Sequence, residues 1–235
     1  MKKEIKKNKK GKFIVVEGTD GCGKKTQTEL LVKRLKKEGY KVATIDFPQY
    51  YNNFFGKFIG ECLAGEHGDF VKLDPKIASV LYAADRFESS QKIVKWLKEG
   101  RIVIADRYAN SNQTHQGGKI VDAHKRREFL KWLDEMEFGV FKIPRPDLII
   151  YLNVPLKFSL EMLKNKNNEE KKKYLNGKKD VLENDLKHLQ NAKRSALNLV
   201  KENNNWVDIQ CVRNGKLLSI EKIGEMVWRE IGMVN

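Results

Sequence analysis

The sequence predicts an α/β fold, doubly wound around a five-stranded parallel sheet flanked by helices. Two observations carry this. Short, apolar, β-branched runs alternate with longer amphipathic segments, the order that a parallel sheet with crossover helices requires. Runs such as Ile102-Val103-Ile104 are also apolar at successive positions, as strands covered on both faces must be. The five runs fall at 13–17, 42–47, 102–106, 148–152 and 206–211. In such folds ligands lie beyond the C-terminal strand ends. Polar residues gather at those ends here: Glu17-Gly18, Asp46-Phe47-Pro48 and Asp106-Arg107-Tyr108.

The segments between the runs read as helices. Residues 26–38 place Leu30, Leu31 and Leu35 on one face and stop at Gly39, a C-cap residue. Asp74-Pro75 opens a second helix, with Asp74 as N-cap and Pro75 in the first turn, and the pattern continues toward Gly100 with room for a break. Segments 122–137 and 219–231 supply two more. Residues 165–179 are polar and lysine-rich and read as a flap or an exposed connection. A basic arm, 1–11, precedes a single domain, 12–235, without internal repeats or a splitting linker.

Composition narrows the setting. An apolar content of 40% suits a globular chain. No apolar run approaches the ~20 residues of a membrane span, and no signal-type segment follows the basic N-terminus. The three cysteines, Cys22, Cys62 and Cys211, are sparse and unpaired in sequence, which fits a reducing cytoplasm. A net charge of +15 is compatible with a polyanionic partner. Much of it lies in the arm and around Lys171, Lys172 and Lys173, so charge alone does not separate nucleotides from nucleic acid.

The chemistry begins at Gly18-Thr19-Asp20-Gly21-Cys22-Gly23-Lys24-Lys25-Thr26, directly after the first run. A glycine, four residues, a second glycine and a lysine form a loop whose backbone N–H groups cradle phosphates. The helix that follows adds its positive N-terminus, and Lys24 adds a full charge. A nucleoside triphosphate is the expected ligand. Lys25 stands where a Mg²⁺-binding hydroxyl is usual, and Thr26 comes one residue later. Either water and other carboxylates hold the metal, or Thr26 reaches it in altered geometry, or the metal site is weak. Cys22 reads as a small filler, with a reactive thiol at a helix N-terminus as the alternative.

Asp106 at a parallel strand end can hold Mg²⁺ or its waters, and the planar fork of Arg107 can bridge phosphates. Tyr82 and Arg86 lie four apart, on one helical face, where a ring and a guanidinium can meet a base. Taken alone, Tyr82 reads more readily as a core residue and Arg86 as a solvated charge. Asn112, His115 and Gln116, followed by Gly117-Gly118, form a polar stretch at the sheet edge that can touch sugar or base. The sequence offers no Ser-His-Asp order and no metal-ligating His pair.

Together, Glu17 to Lys24, Phe47-Pro48-Gln49-Tyr50, Leu81 to Arg86 and Asp106 to Asn112 resemble the thymidylate kinase family. The resemblance spans nearly the whole chain. It implies a P-loop NTPase fold, ATP and Mg²⁺, and phosphorylation of dTMP to dTDP by a cytoplasmic homodimer, with no nucleic-acid or membrane partner. By position it implies that Lys24 and the loop amides hold ATP phosphates, with Asp20 near the deoxyribose 3′-hydroxyl or the metal. Phe47 would pack on the acceptor nucleotide, Tyr50 approach its phosphate, Tyr82 stack on thymine and Arg86 bond a base carbonyl. Arg107 would grip the acceptor phosphate, Asn112 face the base and Gln116 lie beside that pocket. Three departures stand out: Lys25 in the loop, His115 where a tyrosine commonly flanks the sugar, and a flap with lysines (Lys164, Lys166, Lys171, Lys172, Lys173) in place of arginines. A kinase for another nucleotide or a deoxynucleoside, and a nucleotide-binding protein without catalysis, remain alternatives.

Overall fold

The computed structural model describes residues 10–165, 175 and 185–232. Five parallel strands, β1 (Lys12–Glu17), β2 (Val42–Asp46), β3 (Ile102–Asp106), β4 (Leu148–Asn153) and β5 (Trp206–Gln210), stand in the order β2-β3-β1-β4-β5. Each lies within one residue of its expected bounds. The helices among the described residues are α1 (Lys24–Lys37), α2 (Phe54–Leu63), α3 (Pro75–Lys98), α4 (Ala109–Gly118), α5 (Ala123–Asp134), α6 (Leu156–Asn165), α7 (Leu186–Glu202) and α8 (Ile220–Gly232). An antiparallel hairpin of β6 (Val212–Arg213) and β7 (Lys216–Leu217) follows β5.

The central strand β1 shows why its run is apolar throughout. Phe13 and Val15 enter a core with Ile93 of α3 and Ala196 and Leu199 of α7. Ile14 and Val16 enter the opposite core, with Leu31 and Leu35 of α1 and Ile223 and Val227 of α8. Successive side chains thus meet helices on opposite faces. A third cluster, outside the sheet, joins Ile59 and Leu63 of α2 to Ala78 of α3, with Tyr50 and Tyr82 packed against it.

Local rules explain most helix ends. Asp74 Oδ1 accepts from the Lys76 N–H at 2.8 Å, and α3 then runs 24 residues without the allowed break. Gly39, at φ 88°, donates its N–H to Lys36 O. Leu30 departs from expectation: it is exposed, and only Leu31 and Leu35 enter the core. Segment 122–137 is not one α-helix. After α5 the chain widens into a π-helix, Glu135–Val140, in which the Phe141 N–H reaches Met136 O at 3.0 Å. Helices α2, α4, α6 and α7 go beyond the sequence reading.

The polar stretch at Asn112 to Gly118 is helix α4, and its paired glycines do not reach the cleft described below. A Cβ on Gly118 would lie 2.9 Å from the Asn191 backbone, so this glycine lets α4 pack tightly on α7. Most of the expected flap, with Lys166, Lys171, Lys172 and Lys173, lies outside the described residues, as do residues 1–9 of the arm. Gly11, assigned to that arm, donates its N–H to Leu97 O and is buried, so it belongs to the domain. Among the described residues no helix is long and apolar enough to cross a membrane.

Candidate active site

Between β1 and α1 the chain must turn sharply. Gly21 and Gly23 adopt positive φ (79° and 90°), and a Cβ on Gly21 would collide with Ser159 O. Gly23 sits at the N-cap of α1, so no side chain caps the first turn. Its N–H groups are left for an anion. Lys24 folds back over the loop, with Nζ 3.0 Å from Gly18 O and 3.1 Å from Thr19 O.

The end of β3 faces this loop. Arg107 has a left-handed backbone (φ 67°), sparsely populated outside glycine. Its N–H donates to Val16 O at 3.1 Å, and its guanidinium is held on several sides. Nη2 donates to Asp20 Oδ1, and Nη1 lies 3.2 Å from His115 Nε2 and 3.9 Å from Glu17 Oε2. Glu17 Oε1 accepts from Ser111 Oγ at 2.7 Å. Burial alone would raise the Asp20 carboxyl, but Arg107, Lys24 and His115 together outweigh it and hold Asp20 well below the usual carboxylate range. Burial would lower Arg107, and Asp20, Glu17 and Asp106 reverse that shift. Both shifts favour the charged forms of the pair.

A cleft of about 740 Å³ joins these parts, a size suited to small-molecule ligands. Its walls include Asp20, Gly21, Gly23, Lys24, Lys25, Phe47, Tyr50, Tyr82, Arg86, Asp106, Arg107, Asn112, His115 and Gln116, all singled out from sequence. Gly18, Thr19, Cys22 and Thr26 do not line it. Gly18 and Thr19 contribute the carbonyls that hold Lys24. Cys22 packs into the core beside α1, and burial raises its thiol, which removes the reactive alternative.

Several contributors escaped the sequence reading. Glu137, in the π-helix, binds the buried Arg86: Nε donates to Oε2 at 2.9 Å, and Nη2 donates to Oε1. Asn112 Nδ2 donates to the same Oε1 at 3.0 Å. The only sequence signal for Glu137 was an acidic residue between Met136 and Phe138. Asp85 is buried, accepts from the Gln49 N–H and from Asn53 Nδ2, and ties the Phe47-Pro48-Gln49 turn to α3. His188 of α7 lies 3.2 Å from His115. Thr28, one turn beyond Lys24, brings to the cleft a buried hydroxyl without a partner among the described residues.

The carboxylates suit a hard cation. Asp46 and Asp106 are register partners on β2 and β3, and both line the cleft. Burial raises Asp106 against the pull of Lys24 and Arg107, with Asp46 and Asp20 adding to the rise. Among the described residues no cluster of three or more side chains could cage a metal.

A parallel sheet with a glycine loop after its central strand, facing a fixed arginine and a carboxylate pair, defines a phosphotransferase of the P-loop α/β class. The model of the family Thymidylate kinase matches residues 16–219, and the chain belongs to that family. The chain is 38% identical to the "Probable thymidylate kinase" of Thermococcus onnurineus over 64% of its length and 70% of the relative's. It is 31% identical to the thymidylate kinase of Fervidobacterium nodosum over 86% of its length and 91% of the relative's. A solved thymidylate kinase from Candida albicans superposes with a TM-score of 0.67 at 24% identity, covering 95% of this chain and 92% of that one, which shows the shared fold.

Proposed function

We propose that the chain transfers the γ-phosphoryl group of ATP to dTMP, giving ADP and dTDP. The observation that carries this reading is the Arg107–Asp20 pair, which ties the β3 end to the phosphate loop and sets two phosphate-binding groups across one cleft. On the donor side, the loop amides, the α1 N-terminus and Lys24 take the triphosphate. On the acceptor side, Arg107 grips the monophosphate and Tyr50 approaches it. Phe47 and Tyr82 flank sugar and base, with His115 beside the sugar, and Arg86, Asn112 and Gln116 meet the base edge. Gln116 supports this with a buried side-chain carbonyl that has no partner among the described residues, an acceptor for a base N–H.

An acceptor phosphate is already a nucleophile at neutral pH, so the site needs no strong base. Its residues position two anions and offset their repulsion. Asp106, with Asp46 beside it, would hold Mg²⁺ through one or two carboxylates and water. When bound, that ion would neutralise charge on the phosphate oxygens. Thr26, off the cleft wall, fits this role less well than the carboxylates.

The chain further reads as a cytoplasmic homodimer. Three buried free cysteines support a reducing compartment. Exposed Ile77, Val80 and Phe87 on one stripe of α3, with Phe54 of α2, support burial of that face by a second copy. The decisive assay measures ADP formation from ATP with dTMP, dUMP, UMP, dCMP and dGMP. Preference for dTMP is expected, and no turnover with dTMP refutes the reading.

A further inference from the structure

His115 and His188 meet deep beside the cleft, and nothing in the proposed reaction uses His188. Their contact is built into the fold. Gly118 of α4 abuts Asn191 of α7, and one turn back along both helices the side chains of His115 and His188 face each other. Nδ1 of His115 lies 3.2 Å from Nε2 of His188. The ring centroids are 5.4 Å apart with the planes tilted by 24°. That separation exceeds the N···N distance by about two ring radii, so the contact runs edge to edge and is a hydrogen bond.

The direction of this bond follows from the third member. Arg107 Nη1 lies 3.2 Å from His115 Nε2. A guanidinium has donors only and keeps its proton, so His115 Nε2 must accept. A neutral imidazole that accepts at one nitrogen carries its proton on the other. His115 therefore bears its hydrogen on Nδ1 and donates it to His188 Nε2. His188 must accept there, so it too is the Nδ1–H form. The chain of donors runs from Arg107 through His115 to His188, and both neighbours of His115 favour its Nδ1–H form.

We propose that His188 is a positioning residue: its Nε2 holds His115 in the Nδ1–H form, which leaves His115 Nε2 to orient the Arg107 guanidinium. Without an acceptor at residue 188, the His115 proton has no partner on that side. The ring then reverts toward the Nε2–H form, which sets an N–H against the Arg107 N–H. Asp20 still binds Nη2, but Nη1 keeps only its longer contacts, to Ser111 Oγ at 3.5 Å and Glu17 Oε2 at 3.9 Å, and is less firmly directed. The kinetic consequence rests on Arg107 gripping the acceptor phosphate; the tautomers do not.

The test labels the histidines of the full-length chain with ¹⁵N and records two-bond ¹H–¹⁵N correlations at pH 7.5 without nucleotide. His188→Gln and His188→Met each delete the His188 signal and so assign it, and His115→Gln assigns the other. Both residues are expected in the Nδ1–H form. Gln places a carbonyl oxygen near the position of Nε2, so His188→Gln keeps His115 in that form, whereas His188→Met shifts it toward Nε2–H. The KM for dTMP should rise about tenfold in His188→Met, the equivalent of one lost hydrogen bond. In His188→Gln it should stay within about twofold by the same measure, and the KM for ATP should hold in both. A wild-type His115 that is protonated or in the Nε2–H form overturns the proposal. So does a His188→Met variant whose His115 tautomer and dTMP KM are unchanged. If the tautomers appear as expected but the wild type does not phosphorylate dTMP, the hydrogen-bond chain stands and the nucleotide reading fails.

Discussion

Replacing Glu137 with alanine isolates the strongest buried interaction in the site. Arg86 and Glu137 are 2% and 1% exposed, and the carboxylate takes two guanidinium hydrogen bonds and one from Asn112 Nδ2. Asn112 Nδ2 also donates to Ser79 O at 3.1 Å, so it keeps one partner and adds little to the loss. Arg86 fares worse, because a guanidinium cannot shed its proton to escape burial. Leaving one member of a buried ion pair unpaired costs about 3–5 kcal/mol. With a urea m-value of about 2–3 kcal/mol/M, the unfolding midpoint should fall by about 1–2.5 M. Urea titration followed by tryptophan fluorescence reads this directly.

The companion double variant, Arg86→Met with Glu137→Leu, removes both charges and refills much of the space. Such replacements are often neutral, so its midpoint should lie closer to wild type than that of either single variant. The cycle should return a coupling of about 3 kcal/mol or more, as expected when each single variant strands a buried charge. A shift below about 0.3 M for Glu137→Ala, at that same m-value, would refute the reasoning. A double variant as unstable as the sum of the singles would show that packing, and not the charge pair, holds this junction together.

Three further outcomes are expected. Lys24→Ala should reduce phosphoryl transfer by about 10²–10³-fold, in line with loss of a transition-state donor, with circular dichroism and urea midpoint preserved. Gly118→Ala sets a Cβ 2.9 Å from the Asn191 backbone and should cost about 1–3 kcal/mol; a Cβ on Gly117 meets nothing nearer than Leu130 Cδ2 at 3.5 Å, an ordinary contact, so Gly117→Ala should be neutral or stabilising, and equal effects would contradict the packing account. Stability should also fall in acid through His188, whose imidazole burial and Lys119 push down to about 4 from an ordinary 6.5. Between those values the unfolded chain binds the extra proton and the folded one does not, so stability is full above pH 6.5 and is lost as pH falls toward 4. The His188 share is about 3 kcal/mol, and the gap between urea midpoints at pH 7.5 and 5 should narrow in His188→Gln, with the part due to the buried His115 remaining.

The sheet was legible because its signal is local. Near-continuous apolar runs can only be strands with helices on both faces, and Phe13 to Val16 alternate between two cores as that requires. The glycine loop was legible for the same reason: Gly21 and Gly23 need backbone conformations that other residues rarely adopt. Helix α4 was not, because Asn110, Asn112, Thr114 and Gln116 give it no apolar stripe. Its stability comes from α3, α5 and α7 around it, and tertiary burial of polar side chains leaves no period to read. The π-helix escaped because one extra residue per turn changes which side chain faces inward without changing composition.

The site divides along the same line. Residues proposed to meet a ligand through backbone shape or strand ends, such as Lys24, Asp106 and Arg107, follow from position in a motif. Residues that hold those groups in place do not, since Glu137 lies 51 positions from Arg86 and His188 lies 73 from His115. Each is an unremarkable side chain on an unremarkable helix until the fold brings it to its partner. What they contribute is direction. Arg86 and Arg107 are flexible cations whose forks can point many ways, and a bound nucleotide would have to fix them at its own entropic cost. Asp20, His115 and Glu137 fix them beforehand. In the proposed reaction the basic motif residues would determine which anions bind, and their distant partners how much of the binding free energy is left for catalysis.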